Sequence, residues 1–276
     1  MHSTDRPLIA FIHVPRSGGT TLRVILSTQL RTVFADSLED AQSLVAALDE
    51  AGLRQVELIA GHIPYGVHEF VPRPVKYVTM LREPVARIVS HYWFVRNNSE
   101  HYLHRAVTDR DLSLRDYVES SSPLFAEIVN GQVGMFSPRA RRLRRVDRQA
   151  LDEAKSVLRD QFAAVGTTER FDESVVVIRR ALSLRQPVYV RQNLGMMPRE
   201  PIDAATRKAI EDRNLFDMEL YEYANDLLDE QIRGVGPSFQ RELSHFRRLN
   251  FAYGALHRFV PRLGRVIFDR SVPPGA

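Results

Sequence analysis

Apolar positions fall in short blocks along the chain, and the blocks differ in period. Leu8 to Val14 (LIAFIHV) is a nearly continuous apolar run, the pattern of a strand buried on both faces of a parallel sheet. It ends in Pro-Arg-Ser-Gly-Gly, after which Thr20 to Leu30 has helical character. Residues 38–51 place Leu38, Ala41, Leu44, Val45 and Leu48 on one helical face. Glu57 to Ala60 predicts a second strand and Val75 to Leu81 (VKYVTML) a third. The third runs into Arg82-Glu83-Pro84, and Pro84 suits the first turn of a helix reaching about Arg96. Residues 100–160 read as irregular helix with little strand. Phe162 to Val165 predicts a fourth strand, stopped by Gly166-Thr167-Thr168, with helices over 170–184 and 201–231.

Strands alternating with helices predict an α/β fold with a parallel sheet flanked by helices. Ligands bind such sheets at the loops that leave the carboxyl ends of the strands. Three of the four predicted strands end in concentrated polar chemistry, at Pro15–Thr21, Gly61–Glu69 and Arg82–Ser90. The expected organisation is a single domain over 1–235, with a helical insertion near 100–160, followed by a basic amphipathic tail over 236–276. Between Arg241 and Arg270 the tail carries seven arginines against two acids, interleaved with Phe246, Phe251, Tyr253, Leu256, Phe259, Val266, Ile267 and Phe268. It reads either as a terminal helix packed on the domain or as a segment that touches a membrane peripherally.

Composition narrows the chemistry. The 276 residues are 44% hydrophobic and 26% charged, which excludes a disordered chain. Cysteine is absent, and with it disulfides, Cys-ligated zinc, iron–sulfur clusters and a thiolate nucleophile. No apolar run approaches the ~18 residues of a membrane span, and the N-terminus lacks a basic-then-apolar signal pattern. The expected location is therefore the cytoplasm, with the tail allowing contact with the inner membrane face. Of 38 basic residues only Lys76, Lys155 and Lys208 are lysine, so any bound anion meets guanidinium groups. Arg139–Arg148 alone holds six arginines in ten residues. That run reads as a solvated face, as an acceptor site for an anionic glycan, or as a nucleic-acid patch; no nucleic-acid motif accompanies it, so no nucleic-acid partner is expected. No metal-ligand spacing is visible, and no metal is expected.

Three segments carry candidate chemistry. Val14-Pro15-Arg16-Ser17-Gly18-Gly19-Thr20-Thr21 sits between a strand and a helix. Glycines there let the backbone approach an anion, and free N–H groups at the helix start point at it. The loop is shorter than a Walker A motif and lacks its lysine; the plainer reading is a strand–helix turn. In the second segment Arg82 stands at a strand end and Ser90 about two turns into the following helix, so both can reach one phosphate. In the third, Gly61-His62-Ile63-Pro64-Tyr65-Gly66-Val67-His68-Glu69, a histidine after a strand is naturally poised to take a proton near neutral pH.

PRSGGTT after the first strand, with LREPVARIVSHY later, resembles the sulfotransferases that use 3′-phosphoadenosine 5′-phosphosulfate (PAPS), in particular carbohydrate sulfotransferases of the heparan sulfate 2-O-sulfotransferase type and their bacterial relatives. The resemblance extends through Ala164–Glu169 and Leu215–Ala224 and covers about residues 8–230. It implies a P-loop-type α/β fold. Binding of the 5′-phosphosulfate would fall to Arg16, Ser17, Gly18, Gly19, Thr20 and Thr21, and binding of the 3′-phosphate to Arg82 and Ser90. A loop closing over the nucleotide would bring Arg191 and Asn193, and His62 would act as base. Tyr65, His68 and Glu69 become candidate acceptor contacts, with His68 alternatively a residue that orients His62. Two positions depart from the family's pattern: Arg16 stands where it has lysine, and Glu83 where it has aspartate.

The expected activity is transfer of a sulfuryl group from PAPS to a hydroxyl of a carbohydrate or glycoconjugate, without metal, with Arg16 joining His62 in the catalytic set. The alternatives are a P-loop kinase-like phosphotransferase, which should show a loop lysine and a Mg²⁺-binding Asp, and a non-catalytic protein that binds PAPS without turnover.

Overall fold

Five strands, β1 (Leu8–Ile12), β2 (Thr32–Phe34), β3 (Leu58–Gly61), β4 (Val75–Leu81) and β5 (Phe162–Thr167), form one parallel sheet in the order β2-β3-β1-β4-β5. The computed structural model describes residues 6–120, 122, 127–190 and 202–259. Helix α1 (Gly19–Ser27) follows β1, and α2 (Leu38–Ala46) and α3 (Glu50–Gln55) link β2 to β3. Six helices fill the long connection from β4 to β5: α4 (Pro84–Asn97), α5 (His104–Thr108), α6 (Leu114–Glu119), α7 (Gly131–Phe136), α8 (Pro138–Leu143) and α9 (Arg148–Gln161). After β5 come α10 (Phe171–Ala181), α11 (Ala204–Arg213), α12 (Leu215–Val235) and α13 (Phe239–Phe259).

Every residue of β1 is buried, as its unbroken apolar run requires. Successive side chains point to opposite faces of a strand. Leu8, Ala10 and Ile12 accordingly enter one core, with Val133, Leu151, Leu158 and Leu220 from α7, α9 and α12. Ile9 and Phe11 enter the other, with Leu22, Ile25, Val175 and Ile178 from α1 and α10. A smaller cluster around Ile88, Tyr92, Val107 and Tyr117 ties α4 to α5 and α6.

The structure differs from the sequence reading in three places. β5 runs on through Gly166 and Thr167, residues expected to stop it. β2 is a fifth strand; three half-covered residues at a sheet edge leave little periodic signal. The helix expected over 38–51 is two helices. Ser37 Oγ accepts from Asp40 N–H to start α2, and Asp49 Oδ1 accepts from Gly52 N–H at 2.6 Å to start α3. In the tail, Phe239, Leu243 and Phe246 of α13 pack into the second core, as the packed-helix reading has it, and Phe251 is 75% exposed. Residues 260–276 lie outside the described residues. Among the described residues no helix is long and apolar enough to cross a membrane.

β1 lies between β3 and β4. The chain leaves β1 toward β2 on one side and leaves β4 toward β5 on the other. The carboxyl ends of β1 and β4 therefore flank the point where the winding reverses, the place such sheets open a crevice.

Candidate functional site

Register gathers the three polar segments. Ile12 pairs with Gly61 on one side and with Thr79 on the other, and Thr79 Oγ1 donates to the Ile12 carbonyl at 2.8 Å. The residues after β1, β3 and β4 thus emerge at one sheet edge.

The loop after β1 is wound tightly. Ser17 is fully buried, and its hydroxyl donates to the Val14 carbonyl at 2.6 Å. That proton shapes the loop instead of facing a ligand. Arg16 and Gly18 both have left-handed backbones, with φ of 67° and 73°. Gly18 is the N-cap of α1, and no side chain caps the helix there. At Gly19 a Cβ would stand 1.9 Å from the His13 ring, so only glycine fits. Thr20 is half-buried and Thr21 buried in the first turn of α1.

Two segments far apart in sequence then meet. Arg16 Nε donates to Ser90 Oγ at 3.1 Å, and Arg82 Nη1 donates to the Arg16 carbonyl at 2.9 Å. The Arg16 guanidinium lies over Phe94, 4.5 Å from the ring centre. Gln132 clamps Arg82 through both backbone groups, at 3.0 and 2.9 Å. Ser90 is held by α4, which starts at Pro84; Glu83 caps that helix by accepting from Val85 and Ala86 N–H. Glutamate thus performs the capping that this position requires. Burial, and then the neighbouring Arg82, lowers the proton affinity of Arg16. Burial lowers that of Arg82 too, against the pull of Glu169, 3.9 Å away. Two guanidiniums drawn together and partly stripped of water are an arrangement that a bound anion relieves.

On the other side of β1, His62 follows β3 directly and opens onto a cleft of about 810 Å³. Its ring is 4.6 Å from that of His13, tilted by 54°. His62 is exposed along the cleft, yet the walls desolvate it enough to lower its proton affinity; Arg23 lowers it further, while Asp36 and Glu127 raise it. His13 is 7% exposed and pushed down to about 3, first by burial and then by His62, Arg23 and Arg16. It stays neutral and wedges between His62 and the start of α1. Sequence reasoning passed over His13, whose only signal was a polar residue inside an apolar run.

Part of the arginine-rich run lines this cleft. Arg141, Arg144 and Arg145 face it together with His62 and Asp36. Arg139 pairs instead with Asp147 at 3.1 Å, and Arg148 with Glu219 at 2.5 Å. The structure also gathers His91, His101 and Glu127, with ligand-type atoms all within 4.8 Å of one another, a trio that the sequence reading did not find. His91 is pushed down to about 3 by burial and by Arg87, His101 and Arg16. Its Nδ1 is 2.7 Å from the Tyr117 hydroxyl, and Tyr102 donates to Glu127 at 2.5 Å.

Tyr65, His68 and Glu69 are placed elsewhere. Gly66 (φ 147°) and the 3-10 turn Val67–Glu69 swing this segment back over β4. Tyr65 is buried against Tyr77 and Phe162. His68 Nδ1 and backbone N–H both lie 2.9 Å from the Tyr77 hydroxyl, so His68 serves Tyr77 and not His62. Glu69 pairs with Arg141 at 3.8 Å, and the Tyr65 carbonyl accepts from Arg141 at 2.8 Å. The segment braces a cleft arginine and does not line the cleft. Arg191 and Asn193 lie outside the described residues.

No protein-family model matches the chain. Over 130 residues it is 28% identical to heparan sulfate 2-O-sulfotransferase 1 of Mus musculus, a match covering 44% of this chain and 36% of the relative. The chain thus matches about a third of that relative's length. At this distance the likeness points to a sulfotransferase and no further.

Proposed function

We propose that this chain transfers a sulfuryl group from PAPS to a hydroxyl of an acidic carbohydrate. The observation that carries the reading is the meeting of Arg16 and Ser90, 74 residues apart, with Arg82 bound to the same loop. A donor with separate 5′ and 3′ anionic groups needs two adjoining anion sites. The uncapped start of α1 offers N–H groups and the positive helix end. Arg82 and Ser90 offer a guanidinium and a hydroxyl beside it. The relative's name supplies the sulfuryl chemistry. The cleft arginines suit an acceptor that bears negative charge, as heparan sulfate does.

PAPS, when bound, supplies an electrophilic sulfur with a phosphate leaving group. The chain's own residues then have distinct tasks. Arg82 and Ser90 hold the 3′-phosphate and so set the donor's position. Arg16 and the N–H groups of Gly18 and Gly19 face the charge that develops at the transferred group; one preaimed donor of this kind contributes roughly 3–4 kcal/mol. His62, neutral at physiological pH and open to the cleft, accepts the proton of the acceptor hydroxyl.

Calorimetric titration with 3′-phosphoadenosine 5′-phosphate, against ADP and ATP–Mg²⁺, tests the reading without knowledge of the acceptor. Tight binding of the bisphosphate alone is expected. Preference for ATP–Mg²⁺ would replace sulfuryl with phosphoryl transfer, and binding of neither would remove the donor site.

A further inference from the structure

β2 and β3 are paired in register, Thr32 beside Leu58, Val33 beside Ile59 and Phe34 beside Ala60. The pairing runs on past the strand end, since Ala35 N–H donates to the Ala60 carbonyl at 3.2 Å. The Ala35 carbonyl lies so near Gly61 that a Cβ there would meet it at 1.7 Å. Asp36 is two residues beyond Phe34, and His62 two beyond Ala60. Asp36 and His62 thus follow at bends beyond the same end of this strand pair, with no hydrogen bond or ion pair joining them. Both residues line the same cleft. Asp36 is also held from its other side, its N–H donating to Asp40 Oδ2 in the first turn of α2 at 3.0 Å.

We propose that Asp36 tunes His62: from the wall of the same cleft, its carboxylate stabilises the imidazolium that forms when the ring accepts a proton. This rests on the reading of His62 as the base. The proton passes from the acceptor hydroxyl to a His62 nitrogen and is not handed on to Asp36.

The surroundings show why His62 needs such a partner. Burial weakens it as a base, and Arg23 on α1 weakens it further. His13 at the end of β1 and His91 on α4 also face it; both are held near 3, and each is neutral above about pH 4. The charges that favour the imidazolium are Asp36 first and Glu127 second. Glu127 is engaged by the Tyr102 hydroxyl and faces His91 at 3.5 Å. His68 is engaged by Tyr77. Asp36 is the carboxylate that the sheet itself delivers to His62.

The test is a proton NMR titration of the His62 ring in the full chain, the resonance being assigned by its loss in His62→Gln. In Asp36→Asn the midpoint should move to lower pH, and Asp36→Glu should bring it back toward the wild-type position. Asp36→Ala, which can form no new hydrogen bond, should behave as Asp36→Asn does. In turnover, Asp36→Asn should lower kcat with KM for the donor unchanged, and the acid limb of kcat/KM should move to lower pH. An unmoved His62 midpoint in Asp36→Asn and Asp36→Ala overturns the proposal. A midpoint that moves in a chain that transfers no sulfuryl group upholds the Asp36–His62 coupling and removes the functional reading. Transfer with an unmoved midpoint does the reverse.

Discussion

Gly61 is where the tightest contact of the sheet adjoins its chemistry, and Gly61→Ala should disturb both. The added Cβ would lie 1.7 Å from the Ala35 carbonyl oxygen and 2.8 Å from its carbon. The obstacle is backbone, which cannot rotate aside as a side chain can. An ordinary contact begins near 3.4 Å, so the Ala35 carbonyl must retreat by about 1.7 Å. The retreat breaks the bond from Ala35 N–H to the Ala60 carbonyl, worth about 1 kcal/mol. It also displaces buried Ala35, and overpacking of this kind costs about 1–3 kcal/mol. The expected destabilisation is about 2–4 kcal/mol, a fall in Tm of about 3–7 °C for a chain of this size. Asp36 and His62 follow the two displaced residues, so kcat at a temperature where the variant stays folded should fall on the order of tenfold or more. Arg82 and Ser90 follow β4, across β1 from the disturbance, and binding of 3′-phosphoadenosine 5′-phosphate should stay within about threefold. Scanning calorimetry reads the first effect and titration calorimetry the last. A variant that melts within about 1 °C of wild type would refute the packing argument. One that loses donor binding in step with turnover would refute the separation of the two sites.

Three further outcomes follow from the site. His62→Ala should reduce turnover at least about 100-fold while leaving donor binding nearly intact; unchanged turnover in a sulfuryl-transfer assay removes His62 from its role. Arg82→Ala should weaken binding of 3′-phosphoadenosine 5′-phosphate far more than binding of AMP, and equal losses in titration calorimetry would separate Arg82 from the 3′-phosphate. Stability should fall on acidification below pH 6.5. Folded His13 and His91 refuse protons down to about 3, whereas the unfolded chain accepts them from 6.5 downward. The unfolded state binds more protons in that window, so each histidine costs up to roughly 1.4 kcal/mol per pH unit there. A Tm that stays flat between pH 7 and pH 5, or that His91→Gln leaves equally steep, contradicts this.

The sequence alone carried the α/β class, the parallel sheet and the three polar strand ends, because each depends on local pattern. An apolar run such as Leu8–Ile12 can be satisfied only by burial on both faces, and Pro84 or Gly18 has few places it can stand. Arg16, Arg82 and His62 were legible as candidates because they follow strands directly, and Ser90 through its spacing from Arg82 and the family resemblance.

Only the tertiary structure decided which of these residues work together. Arg16 reaches Ser90 because β1 and β4 are neighbours, which their separation in sequence does not state. Asp36 and His62 come to line one cleft through an edge strand too short to leave a periodic signal. His13 became part of the site because Gly19 leaves room for its ring. His68 left it because a turn at Gly66 carries it to Tyr77. The arginine run was divided by its partners: Arg139 and Arg148 pair with Asp147 and Glu219, whereas Arg141 and Arg145 line the cleft while pairing with Glu69 and Asp147. Local pattern records how each segment meets its own solvent and backbone needs. Strand order and register decide which side chains meet, and no single segment encodes them.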